Sequence, residues 1–150
     1  MKMIKVMMAA LIVAAFTGCS SSDDNGSQTN GDLTARWNET KTVAKISGET
    51  YNNPYDQNET GCAKDFIEFK DDNTAVRTIY FHNGDNVCTE DSSTPVEYQH
   101  TGNQLIIGNG YYAGTYTVKK LTSNELVIES TDSTGSITTV TTIYFTKASM

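Results

Sequence analysis

The chain has 150 residues, room for one domain, and its 37 % apolar content can cover one modest core. Its formal charge is −7 and its Lys and Arg are scattered. That argues against nucleic acid as a partner, because phosphate neutralisation needs grouped cations.

Lys2 and Lys5 supply a positive start, and Val6 to Phe16 is an uncharged run of 11 residues. A spanning helix needs roughly 20 apolar residues, so this run reads as the core of a signal peptide over residues 1–18. Phe16-Thr17-Gly18-Cys19 resembles the lipobox of bacterial lipoproteins, with Phe16 where Leu is commoner. The resemblance implies cleavage before Cys19, a diacylglycerol on its thiol and an acyl chain, such as palmitate, on the new amine. Each buried methylene contributes about 0.8 kcal/mol, so two or more chains give a stable membrane anchor. Residues 20–32, "SSSDDNGSQTNGD", have no apolar side chain and read as a flexible tether. Ser22, Asp23 and Asp24 resemble the surface-export signal of Bacteroidetes lipoproteins; the alternative is an acidic spacer that keeps the domain clear of headgroups. The expected address is the cell envelope, as an outer-membrane lipoprotein that the export signal would carry to the surface.

From Leu33 onward, short apolar alternations are broken by turn residues. The many Thr and eight Tyr, with only two Pro, suit strands. The first strand begins at Trp37, "WNETKTVAKIS". "DFIEFK" and "AVRTIYFH" form a hairpin about Asp71-Asp72-Asn73-Thr74, with Ile79 and Phe81 on one side of the second strand and Val76 and Tyr80 on the other. "VEYQH" and "QLIIG" form another hairpin about Gly102-Asn103, and "GTYTVKKL" with "ELVIES" a third. Residues 132–135 read as a turn before a last strand, "SITTVTTIYFT". No segment holds a helical period. The class is all-β, and eight antiparallel strands can close into an up-and-down barrel over residues 33–150, which removes exposed edges. A two-sheet sandwich fits the pattern less economically.

Alternation sets Ile67 with Phe69, Leu105 with Ile107, Tyr116 with Val118, Leu126 with Ile128 and Ile143 with Phe145 on shared faces. A slip of one residue would put every one of them in water, so these faces point into the barrel together with Trp37. An eight-stranded barrel is filled by its side chains or holds one small ligand. The bulk of these residues predicts packing near Trp37 and any cavity toward the other end. Trp37 should sense an apolar ligand, and enlarging Val118 should weaken its binding.

The residues also carry a family resemblance. Leu33-Thr34-Ala35-Arg36-Trp37 looks like the opening of the bacterial, Bacteroidetes-type lipocalin-like domain lipoproteins, with Ala35 where Gly is usual. Cys62-Ala63-Lys64-Asp65, Phe69 and Asp72-Asn73-Thr74 are similar to that family's central run, with Asn73 in place of Gly. Cys88, Tyr98, Gly102-Asn103 with Leu105 and Ile107, and Tyr144-Phe145-Thr146-Lys147 extend the likeness. It implies an eight-stranded barrel with a small-molecule cavity. With Cys19 assigned to lipid, Cys62 and Cys88 remain as an even pair in an exported protein, which reads as a structural disulfide. The rival is a thiolate metal site, for which His82 is the only nearby further ligand of the usual type.

Catalytic signals are sparse. Asp56, Asn58, Thr60 and Gly61 follow the spacing of a calcium loop, but its closing position is Ile67. His82 and His100 stand without any nucleophile or metal motif. The expectation is therefore a binding protein without cofactor or catalytic residues, monomeric and held to the membrane only by its lipid. Tyr51 and Tyr55 before the second strand, and Tyr111 and Tyr112 in "GNGYYAG", are the candidate ligand contacts, since loop tyrosines line cavity mouths or stack on sugars. A small apolar or amphipathic ligand leads. A surface glycan- or protein-binding module, or a structural envelope protein without a ligand, is the alternative.

Overall fold

The computed structural model describes residues 28–149. Cys19, Ser22, Asp23, Asp24 and the expected signal peptide lie outside the described residues. Eleven strands form: β1 (Gln28–Thr29), β2 (Ala35–Ile46), β3 (Glu49–Pro54), β4 (Phe66–Phe69), β5 (Thr74–His82), β6 (Cys88–Ser92), β7 (Val96–Thr101), β8 (Gln104–Ile107), β9 (Gly114–Leu121), β10 (Glu125–Thr134) and β11 (Ile137–Lys147). No helix occurs among the described residues.

Eight of these strands are the ones the alternation predicts, and they close a ring. The order runs β9-β10-β11-β2-β4-β5-β7-β8, and β8 pairs with β9 to complete it. Every pairing in the ring is antiparallel, which tight turns permit. Asn73 adopts φ 61° in the β4–β5 turn. Asn is among the few non-glycine residues that visit this left-handed region readily, so the turn survives without a Gly.

Three strands were not expected. β3 pairs with the far half of β2 and β6 with the far half of β5, so both are hairpin arms that extend past the ring. β10 and β11 likewise pair as far as Thr134 and Ile137, through residues expected to turn. The third, β1, corrects the tether. Gln28 and Thr29 pair in parallel with Lys120 and Leu121 of β9, and Gly31 N–H donates to Leu121 O. β8 reaches β9 only as far as Thr117, so β1 occupies an edge of β9 that β8 leaves free. A Cβ on Gly31 would stand 2.6 Å from Thr122 O, so only glycine permits this approach.

The interior is filled near Trp37. All eleven residues assigned to it are buried, with Trp37, Leu105, Val118 and Leu126 at 0 % exposure. Trp37 Nε1–H donates to Leu33 O at 2.9 Å, which satisfies the one polar atom of this ring. Alternation alone misses Leu121. The β9–β10 register shifts by one residue between Val127 and Ile128, a bulge that turns Leu121 inward to stand opposite Leu126. A second bulge lies between Tyr144 and Phe145 of β11, where Phe145 faces Glu39 and Ile143 faces Thr42 of β2. It gives β2 an inward face that begins with Trp37 and continues with the polar Glu39 and Thr42.

Candidate functional site

Toward the other end the packing opens. A cavity of about 310 Å³ lies between β5 and the loop 108–113. Ile67, Ala75, Ile79, Val96 and Ile107 supply its apolar wall, and Tyr111 and Tyr112 its loop side. Neither Trp37 nor Val118 borders it, so the probe and the cavity-narrowing position that the sequence suggests are replaced by wall residues such as Ile79. A larger recess of about 510 Å³ runs along Asp72–Thr74 and Glu97–Thr101, but its lining is polar except for Tyr98.

The inward face of β5 is Ala75, Arg77 and Ile79, not Ile79 with Phe81 alone; Phe81 is exposed beyond the ring. Arg77 therefore points a cation into the barrel, opposite Ile67 of β4. Its Nη2 donates to Tyr55 Oη at 3.2 Å and to Gln57 Oε1 at 3.3 Å. The Tyr111 ring covers the guanidinium at 4.1 Å. Burial works against the charge, and the Tyr55 hydrogen bond and neighbouring tyrosines outweigh it, so Arg77 stays protonated. Alternation does not single out this residue, because an Arg in an alternating strand reads as outward. The signal was available: Arg77 lies two residues from both Ala75 and Ile79.

The four candidate tyrosines divide. Tyr112 is buried at 6 % exposure; its hydroxyl donates to Glu39 Oε2 at 2.8 Å and its backbone carbonyl accepts from Tyr116 OH. Tyr111 is exposed and packs edge-on against Tyr112. Tyr55 bridges Arg77 to the buried Asp65, donating to Oδ2 at 2.6 Å, and does not itself line the apolar wall. Tyr51 lies in β3, exposed, and donates to Glu49, away from the cavity. Burial first, and then the Asp65 carboxylate, push the Tyr55 hydroxyl pKa well above its usual value. Burial and Glu39 do the same to Tyr112 more strongly.

Asp65 also accepts from Tyr80 N–H at 2.8 Å, and its own N–H donates to Asn58 Oδ1. Asn58 thus ties the polar segment to the start of β4. Cys62 and Cys88 form a disulfide that ties this segment to β6. His82 Nε2 lies 3.6 Å from Cys62 Sγ and 3.7 Å from Cys88 Sγ, and its Nδ1 3.6 Å from Glu59. With the two sulfurs bonded to each other, no thiolate is left to ligate a metal there.

A closed eight-stranded antiparallel barrel with a walled cavity at one end falls in the class of folds whose interior is either filled by side chains or has room for one small molecule. Residues 33–128 match the lipocalin-like domain family, and the chain belongs to it. No curated protein matches the chain. Neither does any solved structure.

Proposed function

We propose that this protein is an envelope lipoprotein, held in the outer membrane by an acylated Cys19, whose barrel binds one small apolar or amphipathic ligand without transforming it. The observation that carries the binding reading is the cavity: about 310 Å³ of space walled by Ile67, Ala75, Ile79, Val96 and Ile107. Pockets of this size and lining are those in which proteins hold small molecules, with a few polar groups to orient them. The lipid anchor rests on the lipobox-like Phe16-Thr17-Gly18-Cys19, and surface exposure on Ser22, Asp23 and Asp24. Closure of the ring within one chain supports a monomeric binding unit.

A neutral, environment-sensitive probe, N-phenyl-1-naphthylamine, tests the cavity. It should bind the purified protein with one site per chain, and Ile79→Trp should weaken binding at least tenfold with the melting temperature little changed. Absence of binding, or binding indifferent to Ile79→Trp, overturns the reading. For the anchor, mass spectrometry of the mature N-terminus should find an acylated Cys19. Whole-cell protease access should fall when Asp23 and Asp24 are both changed to Ala.

A further inference from the structure

We propose that the cavity selects amphipathic anions of roughly ten non-hydrogen atoms, holding a single carboxylate head on Arg77 and an apolar body against the β4–β5 wall. The inference deepens the binding reading above and rests on it. Its size follows from the cavity volume of about 310 Å³, set against about 30 Å³ of liquid volume per water-sized group.

Four observations converge on the charge. Arg77 stands on the inward face where the neighbouring positions, Ala75 and Ile79, are apolar, and opposite Ile67. Its partners in the structure are neutral: the Tyr55 hydroxyl, the Gln57 amide oxygen and the Tyr111 ring. No carboxylate of the described residues comes within 4.0 Å of it. Its Nε–H is buried and has no hydrogen-bond partner among the described residues.

Chemistry supplies the rest. A cation in partly apolar surroundings is retained at a cost unless an anion meets it, and a buried donor without an acceptor adds to that cost. The carboxylate linked to Arg77, Asp65, is one hydroxyl removed and already accepts from Tyr55 and Tyr80. Asp91 borders the cavity but is exposed to solvent, which screens it. Stacking of Tyr111 occupies the face of the guanidinium, whereas its donors lie in the plane. A planar carboxylate arriving edge-on would use those donors without displacing Tyr111, and Arg offers the fork geometry that Lys lacks.

Decanoate, decanol and decylammonium each have ten carbons and differ in the head. Titrated into the purified full-length protein below their micelle concentrations, decanoate should bind about ten- to a hundredfold tighter than decanol. Decylammonium should bind more weakly than either. In Arg77→Met the preference for decanoate should vanish while decanol affinity holds; Arg77→Lys should keep a reduced preference. Equal affinity of the wild type for decanoate and decanol overturns the anion proposal and leaves the cavity reading standing. Failure of all three to bind, with no response to the neutral probe, overturns both. Because the wild-type comparison decides by itself, a misfolded Arg77→Met does not stall the test.

Discussion

The two ends of the barrel are built on opposite principles. At the Trp37 end every inward position is apolar and buried, the single polar atom of Trp37 is satisfied by Leu33 O, and β1 completes the unpaired edge of β9. At the cavity end the inward positions include Glu39, Thr42 and Arg77: Thr42 and Tyr112 both donate to Glu39, and Arg77 donates to Tyr55. One end is held by dispersion and area, which tolerate no gap. The other is held by directed hydrogen bonds and a disulfide, which keep a gap open. Stability and recognition are therefore separable here, and substitutions should tell them apart.

The largest effect should come from Trp37→Ala, which empties the centre of the packed end. Truncation of a buried aromatic costs about 3–5 kcal/mol, and urea unfolding should register it; a loss below 1 kcal/mol would mean the packed end is not what holds the barrel. Replacing Cys62 and Cys88 together by Ser opens a 26-residue loop. That should cost roughly 2–4 kcal/mol, and hydrogen exchange should rise in segment 55–65 and β6 while β9 and β10 stay protected. Exchange that rises evenly would erase the distinction between the ends. Gly31→Ala pushes a methyl into the Thr122 backbone and should destabilise by about 1–3 kcal/mol, with faster exchange at Lys120 and Leu121. No change there would show that β1 adds nothing to the seal.

Alkaline pH bears hardest on the cavity end, where Tyr112 and Tyr55 are raised furthest. The Tyr112 and Tyr55 hydroxyls have raised values in the fold, so their contribution is intact below the ordinary tyrosine pKa of about 10 and disappears as pH climbs through the raised values. An absorbance titration should show tyrosines that ionise only as the protein unfolds, and Tyr112→Phe should remove one of them. Ionisation of Tyr112 in the still-folded protein would contradict its burial against Glu39. The smallest effect on stability belongs to Tyr111→Ala, within about 0.5 kcal/mol for an exposed ring. It should nonetheless lower decanoate affinity, because the Tyr111 ring covers Arg77.

The packed end was legible in the sequence and the cavity end only in part, for a physical reason. Alternation reports which residues avoid water, so Phe69, Leu105, Leu126 and Ile128 announce themselves, as do Ile67 and Ile107 of the cavity wall. The arms β3 and β6 face no core; all six residues of β3 are exposed, and without a buried face there is no period to read. Bulges break the phase, which hides Leu121 behind Lys119 and Lys120. Arg77 and Glu39 violate the inward rule outright, as residues that recognise rather than pack tend to do. Tyr112 shows both roles: it lines the cavity, as its place in a glycine-rich connection suggests, and Glu39 gives its hydroxyl a partner that lets the ring be buried.

The seam between β2 and β11 joins Trp37 to Lys147 and Ile46 to Thr139, so the first ring strand waits for the last. A chain delivered from its N-terminus can zip β4 to β5 and bring Cys62 to Cys88 early, because those contacts are local. The ring itself cannot close until residues 137–147 arrive. Contacts of such long sequence separation are slow to form, on the order of milliseconds to seconds for all-β domains. Until then β2 and β10 present bare edges to any neighbouring chain. The hazardous moment for this protein thus falls between delivery of its last strand and the closing of its seam.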